Sequence, residues 1–188
     1  ASRNEMKSNT GEGRQALQQA RLLGVAGKVD EAIAAYEKLY GGVPDDVDVA
    51  IEYWTLVARL PARHSEGVSQ LKKLNASAPG NVSLLTSLAK QMFADNKPQE
   101  GFAYLAEMAR SASGRGIAAD MWFSEVKSMP VSKASVQALQ QFLLQFPTGS
   151  VAANARVLLD QQQAQLQDPT FRARSEGLAA VKSGNTTQ

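Results

Sequence analysis

The sequence predicts an all-α fold, a superhelix of antiparallel helix pairs, and three observations carry that prediction. Between Gly13 and Gly116 a small residue follows a glutamate three times, at Glu31-Ala32, Glu66-Gly67 and Glu100-Gly101, spaced 35 and 34 residues apart. Large apolar residues follow four and seven positions later: Tyr36 and Leu39, Leu71 and Leu74, Leu105 and Met108. That spacing is one face of an α-helix, and a small residue on it marks a point where a neighbouring helix comes close. Pro44 and Pro79 close the first two units 35 residues apart, and Ser113 stands at the matching place in the third. A fixed φ and a missing N–H donor are tolerated between helices.

The elements follow in order. Residues 1–12 hold few apolar anchors and read as a lead or the remnant of a preceding helix. From Gly13 a helix runs to about Ala26 with Ala16, Ala20 and Leu23 inward, and Gly27 ends it. Asp30 caps or stabilises the next helix, which runs to about Tyr40. Asp48 precedes a helix that stops near Leu60, before Pro61, and Ser65 begins the helix holding Val68, Leu71 and Leu74. Asn81 is the expected N-cap of the following helix, Asp95 to Lys97 form a turn, and Pro98 sits in a first helical turn.

After residues 13–116 the period weakens. Residues 117–147 read as a degenerate hairpin, with helices over Ile117 to Ser128 and Ser132 to Phe146 around Met129 and Pro130. Residues 148–188 begin with a helix capped by Ser150 and ending at Asp168-Pro169. They continue as a helix from Phe171, where Gly177, Ala180 and Gly184 repeat the spacing of the first helix near Ala20 and Gly27. An array that stops midway through a pair leaves a face unburied, so the chain reads as a piece of a longer array. Gly41-Gly42 and Gly114 to Gly116 can relax the backbone, and a change of path or a hinge is expected after Gly116.

This register resembles the tetratricopeptide repeat family, whose unit is a helix pair of about 34 residues with small residues near the middle of the first helix and the start of the second. Ala20, Leu23, Gly27, Ala32, Tyr36 and Pro44 match it; so do Trp54, Gly67, Leu71 and Pro79, then Leu85, Leu88, Ala89, Met92, Gly101 and Leu105. Thr55 departs from the small residue of the first helix, and Ala62 from the turn glycine.

Several stretches outside that consensus are more specific. They are Gly13 to Arg21, Ile51 to Trp54, Pro61 to Arg63, Asn75 to Asn81, Gly101-Phe102, Met129 to Ser132 and above all Asp168 to Arg174. These resemble the N-terminal periplasmic repeat region of the outer-membrane protein family of the bacterial cellulose synthase operon. The resemblance implies a periplasmic location, as part of an outer-membrane protein that continues to a β-barrel. It implies a non-catalytic scaffold whose partners are protein components of the cellulose synthase complex. A direct conduit for β-1,4-glucan and a peptidoglycan-anchoring module are the alternatives it leaves open.

Composition fits a helical array and excludes little else. With 188 residues, 44% hydrophobic and 20% charged, the chain has the balance of an ordinary soluble protein. Twenty basic residues against 18 acidic ones give a net charge of +2, which argues against a nucleic-acid partner bound through phosphate contacts. No apolar run reaches the roughly 18 residues of a membrane-spanning helix. The absence of cysteine excludes disulfides and thiolate metal sites.

No catalytic constellation, metal site or cofactor motif is expected. The only histidine, His64, lies between Arg63 and Ser65 without a nucleophile and orienting group near it in sequence, and reads as a solvated or capping residue. Asp45, Asp46 and Asp48 read as a cap-forming loop rather than a cation site. Glu52, Glu66, Glu100 and Glu125 are scattered and offer no carboxylate pair across a sugar cleft. Gly11 to Gly13 and Gly114 to Gly116 lack the rest of a phosphate loop.

Stacked helix pairs form a concave surface lined mainly by first helices. The positions left after the packing residues are removed place Arg21, Glu52, Arg59, Lys90 and Phe93 in that groove, where a peptide could engage them. Aromatic platforms for a glucan would be Tyr53, Tyr104, Trp122 and Phe123, while Trp54 falls on the packing face.

Overall fold

The computed structural model describes residues 10–182, and the side chains among them up to 177. The lead at 1–9 and Gly184 of the last expected helix lie outside the described residues. Every element described is helical: α1 (Gly11–Val25), α2 (Val29–Tyr40), α3 (Val47–Arg59), a short 3-10 turn (Pro61–Arg63), α4 (His64–Ser77), α5 (Val82–Ala94), α6 (Pro98–Met108), α7 (Ala112–Ser128), α8 (Lys133–Gln145), α9 (Ser150–Gln167) and α10 (Pro169–Lys182). The chain divides into two compact units, Ala1–Met108 and Ala109–Gln188.

The first unit contains three antiparallel pairs, α1 with α2, α3 with α4 and α5 with α6, and stacks them as tetratricopeptide repeats do. Capping separates the first helix from the second in the first two pairs. The first helices carry side-chain caps: Thr10 accepts from the Gly13 amide, Asp46 from Val49 and Asn81 from Leu84. Asp46, not Asp48, is therefore the cap of α3, because the chain enters the helix two residues earlier than its apolar periodicity suggests. The second helices α2 and α4 follow Lys28 and Arg63, neither of which makes a side-chain cap. Instead Glu31, Glu66 and Glu100 lie in the first turns of α2, α4 and α6, where a carboxylate meets the positive end of the helix dipole. The recurring glutamate thus has a physical role separate from that of the small residue beside it.

That small residue sets how closely the two helices of a pair approach. Ala32 is fully buried. A Cβ added at Gly67 would lie 2.5 Å from the Ala58 nitrogen and 2.7 Å from its Cα, so α3 and α4 meet backbone to backbone. At Gly101 the same addition would meet the Phe93 ring at 2.7 Å. Around these contacts lies a core that includes Tyr36, Tyr40, Trp54, Leu71, Leu84 and Leu88. Helix α3 is buried on most of its circumference, from Val49 through Ala58 apart from Glu52 and Thr55. Thr55, the departure from the small-residue pattern, donates its hydroxyl to the Ile51 carbonyl at 2.6 Å and meets the Ser87 hydroxyl at 2.8 Å.

The second unit begins earlier than the sequence pattern places it. Ser111 caps α7 by accepting from the Gly114 amide, so Ser113 and Gly114 to Gly116 lie within the helix rather than in a connection. Their amides take part in a capped helical turn, which replaces the loose backbone expected of a glycine-rich hinge. Ser132 and Ser135 form a reciprocal capping box at the start of α8. Gly149, at φ 101°, precedes α9, and Ser150 is its first helical residue instead of its cap. The core of this unit is aromatic. Trp122 stands edge-on to Phe142 and Phe146, with ring centroids 6.4 and 6.1 Å away, and donates its indole N–H to the Ala138 carbonyl at 3.0 Å. Ser135, fully buried, donates to the buried Gln162 amide oxygen at 2.7 Å, so both polar groups are satisfied.

Candidate functional site

A groove of about 570 Å³ runs across the first helices of the first unit. Its floor includes Tyr36, Ile51, Leu56, Thr55 and Ser87, and its rim carries Arg21, Glu52, Arg59 and Lys90. Four of the five residues assigned to a groove from the sequence therefore meet in one place. They do so because α1, α3 and α5 each turn the face opposite their small and large packing residues toward the same side.

The rim is ordered by polar bonds between pairs. Arg21 engages Glu52 through two guanidinium nitrogens, Nε at 2.7 Å from Oε1 and Nη2 at 3.2 Å from Oε2. The carboxylate raises the Arg21 pKa further, chiefly through this hydrogen bond. Arg59 donates from Nη1 to the Gly24 carbonyl at 3.0 Å, near the end of α1, adding to the bond that this carbonyl accepts from the Gly27 amide. Beneath them the Tyr36 hydroxyl is pushed up to about 12, first by burial and then by the Glu52 charge. Val25 is 87% exposed at the lip, so an apolar edge stands beside the charges. The arrangement can orient a chain that brings both apolar and charged groups.

Phe93 does not belong to this lining. Its ring lies against Gly101 and stands edge-on to Phe102 at 5.0 Å, filling the space that the missing glycine side chain leaves. Two of the proposed sugar platforms are likewise withdrawn from solvent. Tyr53 is 2% exposed and donates its hydroxyl to Glu37 Oε1 at 2.7 Å, and Trp122 is 4% exposed in the aromatic core. Tyr104 is half-buried against the cluster of Ala58, Val68 and Met92. Phe123 is half-buried too, tilted on Phe142, with the Lys127 ammonium 4.8 Å above its ring. Trp54 is buried, on the packing face.

Sequence reasoning missed the surroundings of His64. Its Nδ1 lies 2.6 Å from the Ala58 carbonyl and its Nε2 2.8 Å from the Asp95 carboxylate, 31 residues along the chain. A cleft beside it is lined by Ser65, Ser69, Lys72, Lys73 and Lys97. The signal was present only as a histidine and an aspartate at corresponding turns of successive pairs. Among the described residues no group of three or more His, Asp or Glu is disposed to hold a metal ion, and no helix is long and apolar enough to cross a membrane.

Comparison with known proteins gives consistent relatives. The chain is 50% identical over 184 residues to cellulose synthase operon protein C of Salmonella typhimurium, and 50% identical over 184 residues to that of Escherichia coli K12. Each match covers 98% of this chain and 16% of the relative, so the chain spans about one sixth of their length. The crystal structure of a flexible tandem repeat domain from the corresponding component of a bacterial cellulose synthase superposes with a TM-score of 0.72 at 50% identity. The match covers 88% of this chain and 68% of that one. No protein-family model matches.

Proposed function

The chain belongs to the bacterial cellulose synthase operon protein C family, and from that membership we propose that it is a non-catalytic periplasmic scaffold of the cellulose export machinery. It holds protein components of the synthase complex between an inner-membrane synthase and an outer-membrane pore, as one part of a longer array that continues to a β-barrel. The observation that carries this reading is the groove across α1, α3 and α5. An apolar floor with a rim of fixed charges suits a segment of protein, for which the rim sets orientation and the floor supplies buried area. The alternative, a conduit for β-1,4-glucan, loses support with the burial of Tyr53 and Trp122, since a sugar ring stacks only on an exposed aromatic face.

The test uses the full-length protein in cells making cellulose, with a photo-crosslinking residue at Val25 or Lys90 and a control at Leu144, which is 74% exposed in the second unit. The expected result is an adduct from the groove positions, absent from the control, that mass spectrometry identifies as another component of the synthase complex. In parallel, soluble cello-oligosaccharides at millimolar concentration should leave the NMR spectrum of residues 1–188 unchanged. Saturable β-glucan-specific shifts, or groove positions that crosslink no more than Leu144, would overturn the reading.

A further inference from the structure

We propose that His64 is a proton-operated clasp between the second and third helix pairs, closed when its imidazole carries two protons and opened at Asp95 when it carries one. The argument begins with donors and acceptors. A neutral imidazole has one N–H and one bare lone pair, whereas the charged ring has an N–H at each nitrogen. Both partners of His64 are oxygen acceptors, the Ala58 carbonyl at 2.6 Å from Nδ1 and the Asp95 carboxylate at 2.8 Å from Nε2. Only the imidazolium can donate to both. In either neutral tautomer one nitrogen lone pair would face an oxygen at hydrogen-bond distance, and that contact must lengthen or admit water.

The structure also indicates which side opens. Ala58 lies in the last turn of α3, where carbonyls have no further amide of the helix to accept from. It also underlies Gly67 at the closest approach of α3 and α4, so this partner is held by backbone packing. Asp95 follows α5 in a three-residue turn with Asn96 at φ 58°, and its side chain retains 27% exposure. Loss of the second proton therefore leaves Nδ1–H on Ala58 and releases the carboxylate to water.

The surroundings of the ring pull in both directions, and the net effect favours the charged form. Asp95 favours the charged ring most, through its hydrogen bond; the Ala58 carbonyl adds to this, and burial and the Lys97 ammonium oppose it, with a net rise above the ordinary 6.5. Lys72 and Lys73 border the same cleft from α4, Lys72 lying 3.9 Å from Glu100, and Arg63 is turned to Glu66. Because the folded-state pKa is raised, the clasp contributes fully below about pH 6.5. It is lost as the pH rises through the folded value.

His64 is the only histidine, so in untagged residues 1–188 its ring gives a single set of NMR signals. Following them from pH 5 to 9 should give a midpoint above 6.5. Asp95→Asn should move that midpoint down. In the unsubstituted chain the amides of Asp95, Asn96 and Lys97 should shift, and exchange faster with solvent, with the same midpoint. In His64→Gln that coupled change should vanish, which separates the clasp from any general effect of alkali. A His64 midpoint at or below 6.5, no downward movement in Asp95→Asn, or turn amides that keep their titration in His64→Gln would each overturn the proposal.

Discussion

Residues 10–108 and 109–182 are both helical, yet they hold their helices by different means. In the first region the distance within a pair is set by what is missing, a side chain at Gly67 and Gly101, and the space is filled by backbone or by the Phe93 ring. In the second it is set by volume: Trp122, Phe142 and Phe146 occupy the middle, with Ala118, Ala152 and Ala155 buried around them. A close approach that admits only a small residue constrains one position in each pair and so produces a period. A volume that must be filled can be supplied from several positions, and no period results.

The comparison can be tested with substitutions that affect one region and spare the other. Trp54 and Trp122, the only two tryptophans, lie one in each region, so 5-fluorotryptophan labelling gives each unit its own 19F signal during denaturant unfolding. Phe142 is fully buried, and Phe142→Ala should have the largest effect, about 3–5 kcal/mol on the Trp122 transition. An equal shift at Trp54 would erase the distinction between the regions. Gly67→Ala should destabilise the Trp54 transition by about 1–3 kcal/mol, because the added methyl meets the α3 backbone, which cannot rotate aside as a side chain does. A neutral result there would mean that the close approach does not limit the pair. Gly116→Ala should have the smallest effect and the opposite sign. Its Cβ meets nothing within 4 Å inside α7, so a gain of about 0.5–1 kcal/mol in the Trp122 transition is expected from helix propensity. A loss of stability would restore a conformational role for that glycine.

The sequence revealed what depends on a single helix or on one repeated position. The pairs were legible because Ala32, Gly67 and Gly101 stand before apolar residues at helical spacing, and the groove charges were assigned from the faces of the first helices left over once those helices' own packing residues are removed. Phe93 was not. It occupies the place of Gly24 and Arg59, 34 residues after Arg59, and its direction is decided by the gap at Gly101. Tyr53 carried a usable warning, since α3 is apolar on more than one face and a helix of that kind is buried nearly all round. The bonds of Thr55 to Ser87 and of His64 to Asp95 span 32 and 31 residues. They depend on how one pair settles on the next, which no local pattern records.

The contact at Gly67 also has a mechanical side. Within the first region, helices of one pair touch along their length, while α2 with α3 and α4 with α5 touch over less. Several links between successive pairs are polar: Arg21 to Glu52, Arg59 to Gly24, Tyr53 to Glu37, Thr55 to Ser87 and His64 to Asp95. Water and dissolved ions compete for such bonds but not for a backbone lying against a glycine. Under tension this stretch would behave as rigid links on compliant joints, and salt and acidity would change the spring constant of the joints while leaving the links as they are.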